Sequence, residues 1–147
     1  MKNLWVLVGV ALLASCAPAV SSKPKICPPE LSTPILSSSL TPDTEPDSFC
    51  FSDVIDAEPD TSKTVYSNFI TVRGINQIVP IKASHGTTIW VNDQYLEYFS
   101  ESSTLKTVKA GDKVQVLVSA SNLRNTETVT IISIGSVSST FSVTTKR

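Results

Sequence analysis

The run Lys113-Val114-Gln115-Val116-Leu117-Val118-Ser119-Ala120 places Val114, Val116, Val118 and Ala120 on one face at a period of two. Successive side chains of a strand point to opposite sides, so this period predicts a half-buried β-strand. Val129 with Ile131, Phe141 with Val143, and Ile70 with Val72 repeat the pattern. Turn-forming groups separate the runs: Gly74-Ile75-Asn76, His85-Gly86, Asn92-Asp93, Ala110-Gly111-Asp112 and Gly135-Ser136. No helical stripe accompanies them. Short strands at this spacing predict an all-β fold, an antiparallel β-sandwich of about seven strands in roughly 100 residues.

The alternation has a sharp beginning. Residues 17–48 contain no aromatic residue and no glycine, and seven of the nine prolines fall between Pro18 and Pro46. Such a stretch buries too little apolar surface to offset its ordering entropy, and reads as a disordered, semi-rigid tether. Its length corresponds to roughly 30 Å as a flexible coil and about 100 Å as polyproline helix. From Phe49 the character reverses, with nine of the ten aromatic residues lying between Phe49 and Phe141. The expected division is therefore a leader over 1–15, a Pro/Ser/Thr-rich tether over 16–48 and a β-sandwich domain over 49–147.

Several segments of the domain carry a likeness. Pro46-Asp47-Ser48-Phe49-Cys50-Phe51-Ser52-Asp53-Val54 opens it, followed by Val65-Tyr66-Ser67-Asn68-Phe69-Ile70-Thr71-Val72-Arg73-Gly74-Ile75-Asn76 and Gly111-Asp112-Lys113-Val114. Ile134-Gly135-Ser136-Val137-Ser138-Ser139-Thr140-Phe141-Ser142-Val143-Thr144-Thr145 closes it. Together these resemble a bacterial immunoglobulin-like repeat. The resemblance implies an immunoglobulin-like sandwich used as a spacer, adhesive or assembly module, and it transfers no catalytic residue. The chain departs from the pattern at Cys50 and in the aromatic-rich stretch from Trp90 to Phe99, and it carries one copy instead of an array.

The N-terminus has its own likeness. Lys2 supplies a positive start, Leu4 through Leu13 an apolar run, and Ala14-Ser15 the small residues a signal peptidase needs. A bilayer-spanning helix needs about 20 apolar residues, roughly twice this run. The segment Leu13-Ala14-Ser15-Cys16 resembles the lipobox of bacterial lipoproteins. That resemblance implies cleavage before Cys16, a thioether-linked diacylglycerol on its sulfur and an amide-linked acyl chain such as palmitate. Two or three chains, at about 0.8 kcal/mol per buried methylene, hold far more firmly than one. Ala17 stands where enteric lipoproteins retained at the inner membrane carry aspartate, so the implied address is the outer membrane, facing the periplasm.

With Cys16 acylated, Cys27 and Cys50 remain in an oxidising compartment. An even pair predicts a mutual disulfide, with cross-linking to a partner protein as the alternative. Phe49 and Phe51 are expected to point into the core, so Cys50 between them should face out. A bridge would stabilise the fold by about 3 kcal/mol and shorten the free tether.

Chemistry-bearing constellations are sparse. His85 is the only histidine and falls in a predicted turn, so multi-histidine zinc sites are ruled out and any Ser-His-Asp triad would have to use it. The chain has neither a Gly-x-Ser-x-Gly elbow nor a glycine-rich phosphate loop. Asp53, Asp56, Glu58 and Asp60 form an acidic cluster of the kind that attracts calcium, but without the glycine and terminal glutamate of the calcium loop. Removing residues 1–15 takes away Lys2 and leaves 11 basic against 13 acidic side chains, with no basic block to suggest nucleic acid. The expectation is a protein without enzymatic activity, metal or cofactor beyond the lipid on Cys16.

One surface stands out. With Ile89 and Val91 inward, strict alternation turns Trp90 outward, and Phe69 and Leu117 by the same count. Trp90, Tyr95, Tyr98 and Phe99 then form a candidate partner surface, since exposed aromatic groups mark contact sites. The functional expectation is an outer-membrane lipoprotein acting by contact, as a subunit of an envelope-spanning secretion or conjugation assembly of type IV. Its small lipoproteins likewise place a second cysteine and proline-rich sequence soon after the lipidated one, a likeness covering residues 16–36. The alternative is a surface adhesin or a carbohydrate- or cell-wall-binding lipoprotein, its aromatic residues stacking on sugar rings.

Overall fold

The computed structural model describes residues 23–29, 41–100 and 106–147. Cys16, the leader over 1–15 and the remainder of the tether lie outside the described residues. Among the described residues every regular element is a strand: β1 (Val54–Ala57), β2 (Thr64–Tyr66), β3 (Ile70–Thr71), β4 (Val79–Ala83), β5 (Thr87–Val91), β6 (Gln94–Phe99), β7 (Lys106–Val108), β8 (Lys113–Ser119), β9 (Glu127–Ile134) and β10 (Val137–Thr145). One sheet runs β1-β10-β9-β4-β7, and the other runs β2-β8-β5-β6 with β3 also paired to β8. All pairings are antiparallel except β1 with β10. The expected all-β sandwich is what forms, with ten short strands where about seven were expected.

The β8 alternation sets the face of the second sheet. Val114, Val116, Val118 and Ala120 are buried between the sheets, as the period predicts. Phe141, Val143, Ile70 and Val72 likewise line the core. Val129 and Ile131 do not; both face solvent, and Thr130, Ile132 and Ile134 turn inward in their place. The antiparallel register explains the reversal. Thr130 pairs with Phe141 and Ile132 with Ser139, and directly paired residues share a face. Burying the Phe141 ring therefore takes Thr130 inside with it. Its hydroxyl meets that of Thr87, on β5 of the opposite sheet, at 2.5 Å, so neither buried oxygen lacks a partner.

Two turns are built by residue chemistry visible in the sequence. Asn92 and Asp93 both adopt positive φ (52° and 62°), the signature of the two-residue turn whose twist matches an antiparallel hairpin. The Asn92 side chain also ties this turn to the next one. Its amide nitrogen donates to Asp112 Oδ1, its amide oxygen accepts from the Lys113 backbone N–H, and Asp112 Oδ2 accepts from Lys109 N–H, each at 2.9 Å.

Part of the segment expected to be tether packs on the sandwich. Asp43 N–H donates to Asn76 Oδ1 at 2.7 Å, while Asn76 N–H donates to the Asp43 carbonyl at 3.0 Å. Pro46 is buried, and Asp47 N–H donates to the Arg73 carbonyl at 3.0 Å. The approach is so close that a Cβ on Gly74 would lie 2.6 Å from Asp47 N, and one on Gly135 would lie 2.9 Å from the Thr44 carbonyl oxygen. Residues 50–52 then run beside Asn68, which accepts from Ser52 N–H and donates to the Cys50 carbonyl. β1 next crosses to the first sheet, so one short length of chain borders both sheets.

Side chains cover the β6 and β7 edges and the part of β10 that β1 leaves unpaired. Tyr95 bends along β6 so that its hydroxyl accepts the Tyr98 N–H at 2.8 Å. Lys25 Nζ donates to the Thr140 carbonyl of β10 at 2.5 Å. Glu97 of β6 and Lys106 of β7 form an ion pair at 3.0 Å that joins the margins of the two sheets. Each occupies a place where a foreign strand would otherwise add.

The Thr87–Thr130 bond gives a direct test of the core assignment. Thr87→Val leaves the Thr130 hydroxyl buried without a partner and should cost about 1–3 kcal/mol in urea unfolding. The double change of Thr87→Val with Thr130→Val should recover most of that loss, because no polar group is then stranded.

Candidate interaction surface

The outer face of the β2-β8-β5-β6 sheet is built by the positions that the core alternation leaves pointing away. Register aligns Tyr66, Leu117, Thr88 and Tyr98 across four strands. The neighbouring row holds Gln115, Trp90 and Tyr95. Not one of these seven side chains is charged. Tyr66, Phe69, Tyr95 and Tyr98 are 45–61% exposed, and Trp90 is half-buried. Gln115 anchors the middle by donating its side-chain amide to the Ser67 carbonyl at 3.0 Å. The result is a set of uncharged, largely aromatic rows carried across four strands of the sheet.

Three of the four expected surface residues, Trp90, Tyr95 and Tyr98, are on this face. Phe99 is not: it is 5% exposed and belongs to the core. Neighbours in a strand cannot both face out, and Phe99 pairs with Thr87, an inward position. Leu117 does point to the outer face, yet it too is only 5% exposed, because Tyr66 and Thr88 flank it in register. Tyr66 joins the face without having been singled out. The alternation Thr64-Val65-Tyr66, with Val65 packed on the core, is the signal that marks it.

Beside Phe69 the face drops into an open groove of about 680 Å³. Its walls include Cys27, Pro28, Pro29, Phe49, Cys50 and Arg73. Cys27 and Cys50 are joined in a disulfide, with their Cα atoms 5.7 Å apart. Phe51 is fully buried and Phe49 packs against the core, their rings meeting edge to face at 5.8 Å. Cys50 between them is turned outward to its partner, as alternation predicts. Around the bond, residues 23–29 form a strap. Lys25 N–H donates to Asp53 Oδ2 at 2.7 Å, Asp53 N–H returns a bond to the Lys25 carbonyl at 2.9 Å, and Cys27 N–H donates to Ser52 Oγ at 3.0 Å. The strap buries little apolar surface: Ile26 is 79% exposed, and Pro28 and Pro29 are exposed too. Hydrogen bonds contribute about 0.5–1.5 kcal/mol each, against an ordering cost of about 1–2 kcal/mol per residue. Those bonds alone fall short of holding the strap, and the covalent link supplies the rest.

The acidic cluster is dispersed among separate local tasks. Asp53 Oδ1 accepts the Ser142 N–H, so this residue bridges the strap and β10. Glu58 pairs with Lys146, whose hydrogen bond and charge hold the Glu58 carboxyl below its ordinary pKa. Asp60 accepts from the Ser62 hydroxyl and backbone N–H, which lower its pKa in the same direction. Among the described residues no three His, Cys, Asp or Glu side chains gather as metal ligands would. His85 lies exposed in the turn between β4 and β5.

No family model matches the chain, and neither a curated protein nor a solved structure matches it.

The division of the Tyr98-Phe99 pair between surface and core has a measurable consequence. Phe99→Ala should destabilise the domain by about 3–5 kcal/mol, as emptying a core ring site does. Tyr98→Ala should change chemical-denaturation stability by less than about 1 kcal/mol.

Proposed function

We propose that this protein is a non-catalytic contact module, anchored by lipid on Cys16 to the outer membrane, that docks a protein partner in the cell envelope through its aromatic sheet face. The observation that carries the reading is the face itself: Tyr66, Trp90, Tyr95 and Tyr98 stand outward on one sheet, in rows without charge, with Phe69 exposed just before β3. Tryptophan and tyrosine dominate contact energies, and rings fixed on a sheet lose little freedom on binding. A role as a subunit of an envelope-spanning secretion assembly of type IV fits a lipidated N-terminus followed by a second cysteine, proline-rich sequence and one small rigid domain.

The sheet order supports an immunoglobulin-like identity for the domain. With β1 taken as strand A, β2 and β3 as B, β4 as C, β5 as D and β8 to β10 as E to G, one sheet keeps the order G-F-C and the other B-E-D. β6 and β7 are additions to that scheme, and β6 carries two of the aromatic residues of the face. A second reading, binding of neutral glycan or cell wall, is favoured by the exposed aromatic rings and lack of charge in the same rows.

Two measurements test these assignments. Combined Tyr66→Ala and Tyr98→Ala substitutions, or Trp90→Ala, should weaken recovery of the cross-linked envelope partner at least about tenfold while the melting temperature falls by less than about 8 °C. Retained capture of the partner excludes this face, and glycan pull-down that depends on the same residues establishes the carbohydrate reading instead. Cys16→Ala should leave the protein unlabelled by palmitate and in the soluble fraction. Membrane retention of that variant would remove the lipid anchor from the proposal.

A further inference from the structure

We propose that the Cys27–Cys50 bond is a redox latch: its reduction releases the strap of residues 23–29 while the sandwich stays folded. Three features place the bond between a removable element and a fixed one. The strap contributes no side chain to the core; Ile26 is exposed, and Lys25 reaches the sheet only through polar contacts with Asp53 and Thr140. The next described stretch is locked independently of any sulfur. Pro46 is buried, Asp43 and Asn76 exchange hydrogen bonds, and the backbone lies tight against Gly74 and Gly135. Opening the bond therefore leaves the chain from Thr41 onward held to the sandwich.

The bond is also reachable. Both cysteines are half-buried at the wall of the open groove, next to exposed Pro28 and Pro29. A dithiol reductant enters as thiolate and attacks one sulfur, forming a mixed disulfide and expelling the other sulfur as thiolate. The second thiol of the reductant then closes its own disulfide and expels the first cysteine. Two electrons and two protons pass from the reductant to Cys27 and Cys50. Release detaches the strap from Asp53 and Ser52. It also uncaps the Thr140 carbonyl on β10, which Lys25 otherwise occupies.

Hydrogen exchange on the full chain, with and without dithiothreitol, reads this directly. The Asp53 N–H is the sharpest reporter, because it sits on the sandwich but donates to the Lys25 carbonyl of the strap. Reduction should accelerate exchange at Lys25, Cys27 and Asp53 by at least about tenfold, leaving Ile132 and Phe141 in the central hairpin unchanged. The double variant Cys27→Ser with Cys50→Ser should show the same pattern without reductant. Unchanged exchange at the three amides, or a bond that resists the dithiol, overturns the latch. Simultaneous loss of protection at Ile132 and Phe141 overturns it as well, since the bond is then a staple for the whole fold.

Discussion

The β9-β10 hairpin determines which side of nearly everything else is inside. Eight register pairs run from Val137–Ile134 to Thr144–Glu127, and the buried Phe141 ring fixes their common face. That one ring draws Thr130 inward, and Thr130 in turn needs a hydroxyl from the other sheet, which Thr87 provides. The position of Thr87 then fixes the facing of β5 and, through pairing with Phe99, of β6. Because side chains in a strand alternate strictly, a face chosen at Phe141 reaches the aromatic surface across the thickness of the sandwich. The hydroxyl pair costs little while both partners are present and much when one is missing, so it favours this alignment of the two sheets over a slipped one.

How much of this could be read beforehand depended on contrast between neighbouring residues. β8 alternates with enough difference that its core face was plain, and the turn at Asn92-Asp93 announced its own geometry. β9 did not. In Val129-Thr130-Ile131-Ile132-Ser133-Ile134 both faces carry apolar side chains, and only the pairing partner on β10 decides between them. The aromatic face was legible in outline because Ile89 sets Trp90 outward. Phe99, despite its chemical kinship with Tyr98, belongs to the core because neighbouring strand residues face opposite sides. The packing of residues 41–48 was least visible: small and polar residues hide an attachment made by backbone hydrogen bonds and two glycines that admit the chain closely.

Sandwiches expose edges as well as faces, and here the β6 and β7 margins and the part of β10 beyond β1 carry side-chain contacts. Tyr95 caps an amide on β6, Lys25 caps a carbonyl on β10, and Glu97 with Lys106 joins the margins of β6 and β7. Each guard uses a side chain where a partner strand would bring backbone, which disfavours open-ended strand addition. The aromatic face has no comparable cover among the described residues, although rings that large are costly to leave in water. The contrast is between margins occupied by side-chain contacts and a face whose tyrosine rings stay exposed.

Tyr95 and Lys25 each belong to two of these systems, and this links the surface to the strap. Tyr95 stands on the contact face while its hydroxyl closes the β6 edge. Lys25 closes the β10 edge only while the strap is held by Cys27. On the proposed anchoring at Cys16, six residues lie between Cys16 and Lys23, a reach of about 25 Å fully extended. The closed disulfide then keeps the sandwich near the bilayer, with Pro28, Pro29 and Phe69 lining one groove beside the aromatic rows. A partner meeting that face is consequently met close to the membrane. Releasing the strap leaves the face unaltered, because no residue of the strap lies in the rows that form it.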